Sequence, residues 1–297
     1  MAEPAMADRG GAAVAWPSLP AAAVWTDRCG TAVAWACGLL GVLLPLSIVG
    51  YLLVKGAGVV SWRFLTDIPR GFPLGSAGGI WPAIQGTLAL TGIGLLTAFP
   101  AGVAGAIFLS EYGRTGWMSK TFRFGAECLA AVPTIVYGLF GYAFLVVDLR
   151  LQVSLLAGGL TLGMLMFPIV LIGAQEALQA VEWSFRESAL SLGVSRWYVI
   201  RRILLPKAWP GILAATVLAA GHAVGSAAAV LFTASVYFTR GGLELGHPVM
   251  TLPTHLYFLV AEAVSFDQAY GTALVLIVGL LLANGTALLA RKWSVSR

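Results

Sequence analysis

Charge is the scarcest property of this 297-residue sequence. Asp, Glu, Lys and Arg together make up 10% of it, against about 25% in ordinary soluble domains. The dipeptide Gly-Lys does not occur. That removes the phosphate-cradling GxxxxGK[ST] loop, and with it that route to ATP hydrolysis on this chain. There is no HExxH, and His222, His247 and His255 lack metal-ligand spacing. Cys29, Cys37 and Cys128 are odd in number and form no CxxC. They read as packing residues rather than as a disulfide or a metal site. With no nucleophile–base or metal cluster visible, a membrane-embedded enzyme finds no support.

What the sequence has instead is apolar length. Hydrophobic residues make up 59% and the mean hydropathy is +0.86. The stretches without charge run from Cys29 to Val54, Gly71 to Ser110, Cys128 to Val147, Leu151 to Gln175, Ala208 to Thr239 and Gln268 to Ala290. Each is about 20 residues or longer, enough for a helix to cross a hydrocarbon core of roughly 30 Å. The second is too long for one crossing. Its Gly- and Pro-rich start, "GFPLGSAGGIWP", reads as a loop, with the crossing from about Ile84 to Leu109. The expected fold is all-α, a polytopic membrane protein with six transmembrane helices.

Orientation follows from the basic residues. With the N-terminus cytoplasmic, only Lys55, Arg63, Arg70, Arg150 and Arg240 of the 18 Lys and Arg fall outside. The net charge of +5 is then an inside bias and does not suggest nucleic acid. No cleavable signal is expected, because the first apolar run begins near residue 29 and lacks a small-residue cleavage site. The expected divisions are a cytoplasmic tail over 1–28, a membrane domain over 29–291 and a cytoplasmic tail over 292–297.

One segment breaks the pattern. "FRESALSLGVSRWYVIRRILLPKAWPGI", Phe185 to Ile212, gathers Arg186, Glu187, Arg196, Arg201, Arg202 and Lys207 between two apolar runs. Helix formers fill the stretch from about Glu182 to Leu192, and Gly193 suits a left-handed stop. Ser195 can cap a second helix, which Pro206 and Pro210 are expected to end. A surface linker needs no such Trp/Tyr/Ile face and no such punctuation. The segment therefore reads as a rigid two-helix block over 177–206 on the cytoplasmic side.

"ESALSLGVSRWYVIRRILLP" resembles the coupling-loop signature of ABC importer permeases, EAA-x3-G-x9-I-x-LP. Glu187, Ala189, Gly193, Ile203, Leu205 and Pro206 match at the right spacing, and Ser188 stands where Ala is usual. "GGIWPAIQGTLALT", "FLSEY", "VPTIVYGLFG", "VLFTA" and "AYGTALVL" extend the resemblance to the phosphate-specific transport (PstA-type) permeases. The resemblance implies a bacterial cell-membrane permease for inorganic phosphate that docks its coupling helices on separate ATPase subunits. The implied partners are a second homologous permease, an ATPase dimer and an extracytoplasmic phosphate-binding protein. It implies no cofactor on this chain, with ATP and Mg held by the ATPase partner.

The fifth span departs from that family. Where relatives read close to A-R-A-I-G-E-T-A-P, residues 221–229 read "GHAVGSAAA". His222 stands at the Arg position and Ser226 at the Glu. Polar groups inside a membrane are functional by default, so His222 and Ser226 are the expected pathway residues. The other reading makes Gly221-xxx-Gly225 a packing face. The departure leaves another oxyanion or small solute open as the substrate. An ion-coupled secondary transporter is the alternative of a different class; neither inverted repeats nor paired midplane carboxylates are seen. Among lesser features, Pro100, Pro133 and Pro168 can bend their helices. Glu127 is expected at the cytoplasmic end of the third span. Leu243–Gln268 is expected as a partly ordered outer cap.

Overall fold

Backbone amides have no water to bond to in hydrocarbon, so a chain this apolar must satisfy them within helices. The computed structural model describes residues 21–113, 116–239 and 242–295, with side chains described over 25–113, 116–239 and 242–285. Most of the expected N-terminal tail, Arg114, Arg240 and the C-terminal tail's side chains lie outside the described residues.

The chain divides into two units, one ending at Gly50 and one starting at Tyr51. The first holds most of helix α1 (Ala21–Gly56), whose side chains from Trp25 to Ile48 are exposed. The second begins with the end of α1 and α2 (Trp62–Thr66), followed by a two-residue hairpin, β1 (Pro69–Arg70) with β2 (Ala77–Gly78). The strands are antiparallel, with Pro69 opposite Gly78.

Long helices then alternate with short ones. α3 (Trp81–Ile107) runs on into a π-helical turn, Phe108–Tyr112. α4 (Trp117–Ala130) and α5 (Thr134–Gly141) follow, α5 passing into a second π-turn, Tyr142–Asp148. Next come α6 (Leu155–Gln179), α7 (Trp183–Ser191) and α8 (Arg196–Val199), then a π-turn Ile200–Leu204 and α9 (Leu205–Val224). α10 (Ala227–Val230), α11 (Leu252–Ala261) and α12 (Phe266–Val295) complete the order.

Among the described residues, five helices are long and apolar enough to cross a bilayer, and there are six when a bent pair is counted as one span. α3 and α6 form the centre of the second unit, and glycine lets them approach closely. A Cβ on Gly102 would come 2.8 Å from Val170 Cγ1, and one on Gly94 would come 3.2 Å from Leu162 Cβ. α6 meets α9 the same way, Gly211 lying against Ala177 and Gly173 against Ala215. Small residues at helix contacts are the usual solution in lipid, where dispersion replaces the hydrophobic effect.

Two spans differ from expectation. The third is longer than Cys128–Val147, running over Trp117–Asp148, and it is bent at Pro133 as the sequence allows. α4 and α5 meet at 98°, because Pro133 has no N–H to donate and disfavours helical backbone at Val132. Tyr137 ties the break by donating to the Leu129 carbonyl at 2.8 Å. Glu127 lies on the exposed face of α4, paired with Arg123 at 2.8 Å. Pro100 and Pro168, by contrast, lie inside unbroken helices.

The fifth span is not Ala208–Thr239. The second coupling helix does not end at Pro206 or Pro210; it continues from Arg196 to Val224 as one length. The π-turn explains why. At Ile200–Leu204 the ladder loosens to i→i+5, and Pro206 then sits in the first turn of α9, where its missing N–H does little harm. The helix stops instead at Gly225, whose N–H reaches the Gly221 carbonyl at 3.2 Å.

At the end away from the coupling block, the chain beyond α10 is irregular yet pinned. Ser154 N–H donates to Thr233 O at 3.0 Å, and Val249 N–H to Ala234 O at 2.9 Å. Leu252 N–H reaches Thr87 Oγ1 at 2.9 Å. Phe64, Ile80, Ala83, Met250 and Leu252 form a small core beneath this cap. Its helix α11, closed by a Thr251/Thr254 capping box, is more ordered than the sequence suggests.

Candidate functional site

Two places carry the residues singled out in the sequence. The first is the coupling block. α7 ends where Gly193 takes φ +74°, a left-handed conformation that costs glycine nothing. Ser195 then accepts from Tyr198 N–H at 3.3 Å, capping α8. The expected punctuation is present at both points.

The block has two faces. Inward, Ala189, Val199, Ile200 and Leu204 are buried with Ala106 of α3 and Ala174 and Leu178 of α6. Outward, Leu192 is 82% exposed, with Trp197 and Tyr198 each more than half exposed. Arg196, Arg201 and Arg202 lie among them. A face this apolar and basic, on the outside of the fold, has the composition of a protein-binding patch.

The expected coupling residues divide between the faces. Glu187 is exposed and accepts from Trp183 Nε1 at 2.7 Å, one turn away. Ala189 is inward, Ile203 and Leu205 are half-buried, Gly193 makes the turn and Pro206 is exposed. Lys207 caps the Phe185 ring, its Nζ 3.8 Å from the centroid.

Sequence reasoning missed one feature. Arg186 is 5% exposed and forks onto Glu111, with Nη2 2.9 Å from Oε1. The two are 75 residues apart, and no local pattern announces such a pair. The available signal was only that each is a charge in a chain that has few.

The second place is the break after α9. Gly173 meets Ala215 and Gly211 meets Ala177. Continuing that antiparallel register sets His222 level with Met166, midway along α6. His222 is exposed on this subunit, and Ser226 is buried at 8%. Ser226 Oγ donates to the His222 carbonyl at 2.8 Å. The structure therefore brings both residues to one helix end, with the His222 side chain exposed and the Ser226 side chain buried. Among the described residues no group of three or more His, Cys, Asp or Glu could hold a metal ion.

A bundle of bent and broken spans, with an outward-facing two-helix block between the fourth and fifth, has counterparts among known proteins. Residues 98–294 match the family described as binding-protein-dependent transport system inner membrane component. The chain belongs to that family. It is an ABC transporter permease subunit, a multi-pass membrane protein whose role is transport and not catalysis. The phosphate transport system permease protein PstA 1 of Mycobacterium tuberculosis H37Rv is 36% identical over 245 residues, covering 82% of this chain and 78% of that protein. PstA of Yersinia pestis is 31% identical, over 86% and 85% of the two chains. The probable ABC transporter permease protein YqgI of Bacillus subtilis is 27% identical, over 90% and 94%.

Solved structures agree on the fold of this permease. The inward-facing MetNI methionine ABC transporter superposes with a TM-score of 0.57 at 17% identity, covering 73% of this chain and 94% of that one. A bacterial ABC transporter that imports alginate gives 0.56 at 16% identity, covering 91% and 98%.

Proposed function

We propose that this permease subunit passes inorganic phosphate across the cell membrane, handed over by an extracytoplasmic binding protein and driven by separate ATPase subunits. The observation that carries the reading is the coupling block. Its inner face is embedded against α3 and α6, while Leu192, Trp197, Tyr198 and three arginines stand exposed. Such a block transmits force only if something docks on it. An ATPase dimer is the proposed engine, holding ATP and Mg. Glu187, Ala189, Gly193, Ile203, Leu205 and Pro206 are the proposed coupling residues.

Phosphate is favoured by the relatives, several of which bear the name of phosphate permeases at 31–36% identity. A second permease of similar fold is the proposed partner in the membrane, with both termini cytoplasmic. His222 and Ser226 are the proposed polar groups at the break in the fifth span. One observation favours a second reading, an ABC permease for another small solute rather than phosphate. No Lys or Arg lies between Lys207 and Thr239, so that span offers an anion no fixed cation.

The test is ATP hydrolysis by the purified complex with its binding protein. Phosphate-loaded binding protein should stimulate hydrolysis, and protein loaded with sulfate should not. Failure of any ATPase to co-purify with the permease would count against the docking role proposed for the coupling block.

A further inference from the structure

Glu111 and Arg186 lie on different elements, both at the coupling end of the bundle. Glu111 belongs to the π-turn that closes α3, and Arg186 to α7, the first coupling helix. Arg186 Nη2 and Nε lie 2.9 and 3.1 Å from Glu111 Oε1. Nη2 also donates to Leu178 O, and Nη1 to Val181 O, both at 2.8 Å. Leu178 is in the last turn of α6, where helix carbonyls lack intrahelical partners. One guanidinium thus joins the ends of α3 and α6 to α7. The side chains of Arg186 and Glu111 are only 6% and 12% exposed, and the Trp183 ring lies 5.3 Å from the guanidinium.

A planar fork of five donors suits this task, and a lysine ammonium does not. Surface ion pairs hold long side chains loosely and contribute little. This one is enclosed, so neither partner is easily freed from the other. The second coupling helix needs no such joint, because α8 runs into α9 as one length. α7 has no continuous helix to either neighbour: a break over residues 180–182 precedes it and Gly193 follows it.

We infer that the Arg186–Glu111 pair is the joint through which movement of α7 is transmitted to α3 and α6 together. It is a positioning pair for ATP-coupled transport, and this rests on the chain being an ATP-driven permease. The coupling block then has two outputs. One is covalent, through α8 into α9. The other is this ion pair, into α3 and α6.

The experiment is hydrogen–deuterium exchange on the complete complex, nucleotide-free and trapped with ATP and vanadate. It needs no transported solute, so it stands even where phosphate proves the wrong substrate. In the wild type, trapping should change exchange both in α7 and in the α3 end around residues 105–113. In Glu111→Gln, the change in α7 should persist and the change at the α3 end should fall about tenfold. Arg186→Lys, which keeps a cation but cannot serve Glu111, Leu178 and Val181 at once, should behave likewise. An undiminished response at the α3 end in either assembled variant would overturn the inference. So would failure of both variants to assemble with the ATPase, which would assign the pair to folding alone.

Discussion

Ser226 Oγ donates its hydrogen to the backbone carbonyl of His222 at 2.8 Å, so the hydroxyl at the fifth-span break is spent on its own helix end. The acceptor lies in the last turn of α9, among carbonyls that would otherwise lack partners. His222 keeps its imidazole on the exposed side of the same turn. Ser226 thus also closes the helix end, while the His222 side chain faces outward from this subunit.

From that division, Ser226→Ala should cost about 1 kcal/mol of stability, the usual net worth of one hydrogen bond, and leave transport selectivity unchanged. His222→Leu should keep the fold, because the side chain is exposed, and should lower the rate of uptake. Initial uptake rates of the two proteins check it, and an unchanged rate in the Leu variant removes His222 from the pathway.

Glu187 is exposed, and its carboxylate accepts from Trp183 Nε1 one turn away. Glu187→Lys should therefore leave the fold intact while weakening the ATPase contact by about tenfold or more, as for a central interface residue. Co-purification and stimulated ATP hydrolysis are the readouts. Full uptake by that variant would argue against docking at α7.

The broad architecture was legible because hydrocarbon imposes one rule, long uncharged runs, which α6 and α12 obey closely. The stop at Gly193 and the cap at Ser195 were legible because each is a local event. Other features were not. The bend at Pro133 could be suspected, but its size depends on what α5 packs against. The continuity of α8 with α9 was misjudged because two prolines read as stops, whereas the π-turn before Pro206 absorbs the first. Arg186 and Glu111 meet only through the tertiary fold, so no spacing rule connects them.

The α3–α6 contact gives a stability test. At Gly102 an added Cβ would lie 2.8 Å from Val170 Cγ1 and 3.2 Å from the Leu171 backbone nitrogen. Gly102→Val should cost about 1–3 kcal/mol, the usual range for overpacking, and lower the thermal midpoint of the detergent-solubilised protein. Gly92→Ala on the same helix, where nothing lies within 4 Å, is the control and should be close to neutral.

The cap that carries α11 should respond to acid. His255 is 5% exposed, set among Leu74, Tyr237, Phe238 and Leu259. Burial lowers its pKa from 6.5 to about 4, because the charged imidazolium is poorly solvated there. The unfolded chain takes up the proton first, so the stabilisation is full above pH 6.5 and is lost as pH falls toward 4. The loss amounts to about 3 kcal/mol at most. His255→Leu should remove that part of the acid sensitivity, read as thermal stability between about pH 4 and 7.

The most direct measurement is uptake of labelled phosphate in cells whose other phosphate importers are deleted, with and without this permease and its ATPase. The account predicts uptake only when both are present, and its loss when either is removed. Assembly of the complex with no phosphate uptake would contradict the phosphate reading and leave the coupling block serving another solute.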